Sequence, residues 1–137
     1  MTASQYQIIK KISFCYGHRL LGHQGKCKNL HGHNATLEIV LQNNQLNPLG
    51  MVVDFADVKK IMKNYIDEKI DHKMILFKED PYLEILQKQN EPVFVMEQNP
   101  TAENLAKHLF EIAKKNGLPV IEVRLFETET SIASYHE

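Results

Sequence analysis

The segment from about His31 to Gln42 constrains the fold most, because its alternate residues change from histidine to apolar without changing face. His31 and His33 are followed at the same spacing by Ala35, Leu37 and Ile39. Residues two apart in a β-strand point to the same side of a sheet. The pattern therefore predicts one strand face that begins with a pair of imidazoles and continues into a hydrophobic core.

A second strand is predicted from Tyr6 to His18. The residues that share its core face are Ile8, Ile12, Phe14, Tyr16 and His18. Cys15 falls on the opposite face, so we do not expect it to join a site with His18. The following segment, Arg19 to Leu30, contains glycines and is typical of a loop.

Two segments have the apolar spacing of amphipathic helices. Asp54 is a candidate N-cap for a helix from Phe55 to about Ile70. Thr101 is a candidate N-cap for a second helix, which ends at Asn116-Gly117.

The segment from Asp71 to Asn99 is harder to interpret because its apolar runs are short. It has room for a helical turn or two over Tyr82–Gln89 and for a β-like run over Val93–Met96. Further strands are predicted over Val120–Thr128 and Ser131–Tyr135. The order ββααββ predicts an α+β fold in a single domain, residues 1–137, with a four-stranded antiparallel sheet and two helices on one face.

Composition argues against several classes of protein. The 137-residue chain has a formal net charge of −1, which gives no electrostatic case for nucleic acid as a partner. No run reaches the roughly 18–20 apolar residues that a membrane helix needs, and the first residues lack the pattern of a secretory signal. We therefore expect a cytoplasmic protein without a membrane partner, in which Cys15 and Cys27 are free thiols.

The strongest functional signal is a group of three histidines, His18, His31 and His33. Imidazole is a good ligand for Zn²⁺, and a catalytic zinc ion keeps three protein ligands and one open position. Cys27 lies four residues before His31, between two lysines. It is either a free thiolate beside the metal, favoured by its positive neighbours, or the fourth ligand of a closed structural site, and the spacing leaves both open.

Two further positions have a functional and an ordinary interpretation. Asp71 precedes His72 directly after the first predicted helix, where a carboxylate can orient an imidazole for acid–base chemistry. A cationic histidine at a helix C-terminus is the ordinary interpretation, and the residues alone favour it. Glu127, at the end of a strand, is either solvated or an acceptor for paired N–H groups of a heterocycle.

Several motifs together resemble the 6-pyruvoyltetrahydropterin synthase family. In sequence order they are Phe14–Leu20, Gly25–Cys27, His31–Asn34, Gly50–Phe55, Asp71–Lys73, Asn99–Asn104 and Glu127–Thr128. The short gap between Cys27 and His31 is similar to the branch named 6-carboxy-5,6,7,8-tetrahydropterin synthase, which serves queuosine synthesis. Two features depart from the common pattern: Ala35 stands where an aromatic residue often occurs, and the segment Lys73–Gln98, at the pocket rim, is longer than in the shortest bacterial members.

The resemblance implies the tunnelling fold, or T-fold. In this fold three subunits close a barrel from their four-stranded sheets, and two such trimers stack into a homohexamer with active sites between subunits. Such a ring would also pair the exposed edges of the sheet, which otherwise promote aggregation.

The resemblance also assigns roles to individual residues. It implies that His18, His31 and His33 bind zinc and that Cys27 is the proton-transferring thiolate. It implies that Asp71 and His72 form a relay, which a neighbouring subunit can supply. It further implies that Glu127 anchors the amino-pyrimidine edge of a pterin, helped by Thr101 and Glu103, and belongs to the catalytic set.

The activity that the resemblance implies is that of a zinc-dependent lyase acting on 7,8-dihydroneopterin triphosphate. Its products would be 6-carboxy-5,6,7,8-tetrahydropterin, acetaldehyde and triphosphate. A pyruvoyl-forming or sepiapterin-cleaving relative, and a non-catalytic zinc-stabilised binding module, are the alternatives. Charge and proximity make Arg19, Lys26 and Lys28 candidates to contact the triphosphate.

Overall fold

The computed structural model describes residues 5–137, so the first four residues, where a secretory signal would begin, lie outside the described part of the protein. The strands are β1 Tyr6–His18, β2 His31–Asn43, β3 Lys73–Phe77, β4 Val93–Met96, β5 Val120–Phe126 and β6 Ile132–His136. The α-helices are α1 Phe55–Lys69, α2 Tyr82–Lys88 and α3 Ala102–Lys115, and a short 3₁₀ turn spans Lys26–Lys28.

All these strands form one six-stranded sheet in the order β4-β3-β1-β2-β5-β6. β1, β2, β5 and β6 pair antiparallel, as the sequence predicts. The prediction of four strands and of the order ββααββ was wrong, because β3 and β4 extend the sheet with parallel pairings beyond β1. The third helix, α2, lies between these two added strands.

The β-like run predicted over Val93–Met96 is confirmed as β4, but neither added strand was placed in the predicted sheet, for a physical reason. β3 and β4 are only five and four residues long, and both are runs of mainly apolar residues without alternation. A short continuous apolar run fits a buried strand and a buried helical segment equally well. In the structure Ile75 and Leu76 of β3 are both fully buried, which explains the absence of a polar face.

The core lies between one face of the sheet and the helices α1 and α3. The capping residues predicted from sequence are confirmed: the Asp54 carboxylate accepts a hydrogen bond from Ala56 N at 2.8 Å, and the Thr101 hydroxyl accepts one from Asn104 N at 3.1 Å. The buried residues of the two helices are Val58, Met62, Ile66, Leu105, Ala106, Leu109, Phe110 and Ala113. They pack against the sheet face that ends in the histidines.

No helix within residues 5–137 is long and apolar enough to cross a lipid bilayer.

Candidate metal centre and active site

The strand pairing brings the three predicted histidines together at one end of the core. His18 is the last residue of β1 and lies opposite His31, the first residue of β2, while His33 lies opposite Tyr16. Each imidazole offers one nitrogen to a group in which all ligand atoms lie within 4.8 Å of one another. His18 Nε2 and His33 Nε2 are 3.1 Å apart.

Backbone carbonyls orient two of these rings. His18 Nδ1 lies 2.6 Å from the carbonyl oxygen of Pro100, and His31 Nδ1 lies 2.7 Å from that of Asn29. A carbonyl oxygen can only accept, so in both rings Nδ1 carries the proton and donates it. Nε2 is then left with a free lone pair, which is the arrangement that metal-bound histidines use.

The chemistry of this donor group fits a zinc ion. Burial, reinforced by the neighbouring His31 and His33, lowers the pKa of His18 to about 4 against the opposing hydrogen bond to Pro100, so the ring is neutral near pH 7. Two nitrogens bound to one tetrahedral zinc lie about 3.3 Å apart, given Zn–N bonds of about 2.0–2.1 Å. The observed 3.1 Å between His18 and His33 is close to that spacing.

Glu127 faces the same group from the end of β5. Its carboxylate oxygens lie 3.9 Å from His18 Nε2 and 3.7 Å from His33 Nε2. The Tyr16 hydroxyl donates a long hydrogen bond of 3.4 Å to Glu127 Oε1. Burial first, and then the Glu127 charge, raise the pKa of Tyr16, which keeps this phenol protonated as a donor. A carboxylate therefore borders the imidazole group.

Cys27 lies on the 3₁₀ turn between Lys26 and Lys28, and its thiol is free and half-buried. Its carbonyl oxygen accepts a hydrogen bond from Leu20 N at 2.8 Å. Among the described residues, the close group of ligand atoms around His18 contains three imidazoles and no thiol. This geometry favours the open three-ligand interpretation over the closed one with Cys27 as a fourth ligand.

Asp71 and His72 form a hydrogen-bonded pair just after α1. His72 Nδ1 donates to Asp71 Oδ2 at 2.8 Å, and the imidazole is mostly exposed. Burial opposes ionisation of Asp71, but the hydrogen bonds from Cys15 N and His72 outweigh it and lower its pKa. His72 has a left-handed backbone, with φ of 62°. This conformation is uncommon for residues other than glycine and is found preferentially at functional sites.

Cys15 lies beside this pair, which the sequence did not indicate. Its backbone N–H donates to Asp71 Oδ1 at 2.9 Å, and its carbonyl oxygen accepts from His72 N at 2.8 Å. Its thiol belongs to a second close group with Asp71 and His72. As strand alternation predicts, Cys15 is absent from the group around His18. The parallel pairing of β1 with β3, which the sequence did not predict, instead brings it to the Asp71–His72 pair, called the dyad below.

A cavity of about 860 Å³ borders two residues of each group, and His18 and Asp71 do not line it. The lining residues from the two groups are His31 and His33, and Cys15 and His72. Residues of the β3–α2–β4 segment complete the lining, namely Met74, Leu86, Gln89, Glu91 and Pro92. The long segment singled out in the sequence therefore forms part of the cavity wall.

The other predicted substrate-binding residues lie at the start of α3. Thr101 is the N-cap of α3, and Glu103 is exposed in its first turn. Neither is among the lining residues of the large cavity, and Cys27 and Glu127 are not either. Their roles in binding substrate stay predictions.

Arg19 is not free to meet a triphosphate. Its guanidinium forms a bidentate ion pair with Asp80, with Nε 2.7 Å from Oδ2 and Nη2 2.5 Å from Oδ1. The guanidinium carbon also lies 3.7 Å from the centre of the Tyr82 ring. The structure thus gives Arg19 a partner that sequence proximity did not reveal. Lys26 and Lys28 are exposed beside Cys27 and remain candidates for that contact.

The Arg19–Asp80 pair predicts a dependence of stability on pH. Burial alone would raise the pKa of Asp80, but the bonds from Arg19 and Tyr82 N and the Arg19 charge lower it. The pair therefore stabilises the fold above the unfolded pKa of about 3.9, and this contribution is lost as pH falls through the lower folded pKa. Asp80→Asn is expected to be less stable than the parent at neutral pH, with a shallower loss of stability on acidification. Urea unfolding at several pH values checks this, and parallel curves for the two proteins would contradict it.

Comparison with known proteins places this fold and site in a family. A sequence model of 6-pyruvoyl tetrahydropterin synthase matches residues 7–137. A 6-carboxy-5,6,7,8-tetrahydropterin synthase from Rickettsia felis is 44% identical over 102 residues, covering 73% of this chain and 74% of the relative. The protein of that name from Haemophilus influenzae is 36% identical, covering 96% and 99%. The structure of Caenorhabditis elegans 6-pyruvoyl tetrahydropterin synthase superposes with a TM-score of 0.74 at 27% identity, covering 100% of this chain and 99% of that one. The protein therefore belongs to the 6-pyruvoyl tetrahydropterin synthase family.

Proposed function

We propose that the protein is a cytoplasmic, zinc-dependent carbon–carbon lyase that converts 7,8-dihydroneopterin triphosphate to 6-carboxy-5,6,7,8-tetrahydropterin, acetaldehyde and triphosphate. Such a product would feed the synthesis of a 7-deazapurine such as queuosine. The similarity to curated relatives named 6-carboxy-5,6,7,8-tetrahydropterin synthase supports this branch of the family.

The close approach of the ligand nitrogens of His18, His31 and His33 is the observation that carries the proposal. Their three ligand nitrogens lie within 4.8 Å of one another, and no thiol belongs to the group. A site with three protein ligands leaves a coordination position for substrate, whereas a structural zinc site is closed by four. A bound zinc ion would polarise the hydroxyl oxygens on the three-carbon substituent of the substrate and so make the adjacent C–H more acidic.

The protein's own residues would supply the remaining functions. The Glu127 carboxylate would accept paired N–H bonds from the amino-pyrimidine edge of the pterin, helped by Thr101 and Glu103. The Cys27 thiolate would remove and return a proton on the three-carbon substituent of the pterin. His72, held by Asp71, would act as the partner acid or base. Triphosphate leaves, and addition of water then accompanies cleavage of a carbon–carbon bond in that substituent, which releases acetaldehyde.

We further propose that the working unit is a homohexamer built from two trimers. His72 is mostly exposed in the single subunit, and the close group of the dyad contains Cys15 rather than Cys27. An exposed dyad is well suited to act on a substrate held by a neighbouring subunit. In the same assembly the outer strands β4 and β6 would gain partners.

Product analysis is the direct test of the activity. The purified, zinc-loaded protein is incubated with 7,8-dihydroneopterin triphosphate, and the pterins and volatile aldehydes are identified by mass spectrometry. We expect 6-carboxytetrahydropterin and acetaldehyde in equal amounts, accompanied by triphosphate.

Each alternative gives a different result in that experiment or in a parallel one with sepiapterin or a chelator. Release of triphosphate with a pyruvoyl pterin and no acetaldehyde would identify an elimination enzyme like the one that the C. elegans protein is named for. Conversion of sepiapterin alone would indicate a sepiapterin-cleaving relative. A protein that unfolds on chelation but turns over no pterin would be a zinc-stabilised binding module.

A further inference from the structure

We infer that the Arg19–Asp80 pair is a clamp that positions the loop carrying Cys27, so that Arg19 and Asp80 are positioning residues for proton transfer. This inference deepens the proposed function and rests on it for its kinetic consequence. Its structural consequence, the order of the Cys27 loop, is independent of the reaction.

The Arg19–Asp80 pair is bidentate and buried, which limits its movement. The two Arg19–Asp80 contacts are parallel N–H···O bonds, a geometry that arginine forms and lysine cannot. The Asp80 side chain is fully buried and that of Arg19 is only 11% exposed. Removing one partner of a buried charge pair leaves the other uncompensated, so the pair resists opening. The Tyr82 ring covers the guanidinium at 3.7 Å.

The clamp is connected to Cys27 through the backbone. Arg19 is followed by Leu20, whose N–H donates to the Cys27 carbonyl oxygen at 2.8 Å. The next residue, Leu21, exchanges two hydrogen bonds with the Asn99 side-chain amide, at 3.0 and 2.9 Å. A fixed Arg19 side chain therefore restricts the backbone just after β1, and this backbone holds Cys27 through the Leu20 hydrogen bond.

The other end of the clamp is bonded to the start of α2, the helix whose later residues border the cavity. Asp80 Oδ1 also accepts from Tyr82 N at 2.8 Å, at the start of α2. Leu86 and Gln89, further along that segment, line the cavity. One buried ion pair thus joins the Cys27 loop to the segment that borders the cavity, and a change on either side is transmitted to the other.

Arg19→Lys tests the clamp, because it keeps the charge and loses the two-pronged pairing. We expect kcat to fall on the order of 10- to 100-fold, the scale associated with a misplaced catalytic group, with little change in KM. Zinc content per subunit should stay at the parental value. The rate at which iodoacetamide alkylates Cys27, followed by peptide mass spectrometry, should rise because the loop opens more often.

Asp80→Asn provides a second variant in case Arg19→Lys folds poorly, since asparagine keeps the shape and an acceptor for Tyr82 N. Asp67→Asn is the matched control, because Asp67 pairs with Lys63 at 3.0 Å on an exposed face of α1. It should leave kcat and the alkylation rate unchanged.

Two outcomes would overturn the clamp. If both clamp variants match Asp67→Asn in kcat and in Cys27 alkylation, the pair does not position the loop. If KM for the triphosphate substrate rises while kcat and alkylation stay constant, Arg19 binds substrate instead. A parent protein that turns over no pterin would refute the proposed function, while the alkylation comparison would still decide on the clamp.

Discussion

Replacing Cys27 with alanine is expected to abolish nearly all turnover of the pterin substrate while leaving zinc binding intact. General acid–base groups typically contribute about 100- to 10,000-fold to rate, and we expect a loss in that range. Zinc should be retained, because the close group of ligand atoms contains His18, His31 and His33 without a thiol. Steady-state kinetics and zinc analysis of the same preparation provide both measurements.

Cys15→Ala is the matched control, since the protein has two free, half-buried cysteines. Cys15 contacts the Asp71–His72 pair, so this comparison also decides which thiol acts with the dyad. An active Cys27→Ala variant beside an inactive Cys15→Ala variant would transfer the catalytic role to Cys15. Loss of zinc from Cys27→Ala would instead make Cys27 a ligand of a closed site.

The same variant can test whether subunits share sites. If Cys27 and His72 from different subunits meet, mixed hexamers of Cys27→Ala and His72→Ala subunits contain some sites with both residues intact. Activity should then reappear on co-refolding of the two inactive proteins. Absence of recovery in proven mixed assemblies would place both residues of a site in one subunit.

Replacing His33 with alanine is expected to remove zinc and activity together. His33 Nε2 lies 3.1 Å from His18 Nε2, so its loss takes away one of three donors that share a centre. Removal of an outer-shell partner alone costs about 10- to 100-fold in metal affinity, and loss of a direct ligand should cost more. Competition with a chelating dye measures the affinity.

His23→Ala serves as the control for that experiment. His23 is exposed in the loop after β1 and is outside the group around His18. It should bind zinc as the parent does. Full zinc occupancy at parental affinity in His33→Ala would refute the three-histidine site, and loss of zinc in His23→Ala would extend the ligand set.

The grouping of the three histidines was easier to predict from the sequence than the sheet was. Alternation along β1 and β2 places each histidine on the core side, and that face does not depend on the rest of the topology. β3 carries no such alternation, so its residues do not distinguish a buried strand from a buried helix turn, and β4 was visible only as a short β-like run with no indicated partner. The parallel pairing of β1 with β3 therefore had no local signal.

Partners distant in the sequence explain what the site analysis missed. Cys15 meets Asp71 because β3 runs beside β1, which a pattern of residues within one strand cannot reveal. Arg19 was interpreted as a candidate phosphate ligand because its charge was visible and its partner, 61 residues away, was not. His108 shows the same effect away from the site, since it is half-buried and its Nε2 contacts the Tyr65 hydroxyl, 43 residues away. Long-range partners decide whether a charged or polar residue is available.

The carbonyl oxygens of Pro100 and Asn29 have a consequence for the order of assembly. They hold the rings of His18 and His31 through groups that do not depend on the metal, so the ligands are oriented before an ion arrives. Zinc binding then needs little rearrangement of the protein. The conformational entropy of the histidine side chains is lost during folding and not when zinc binds. The metal-free protein should therefore keep its native near-UV spectrum and take up zinc in a single fast phase.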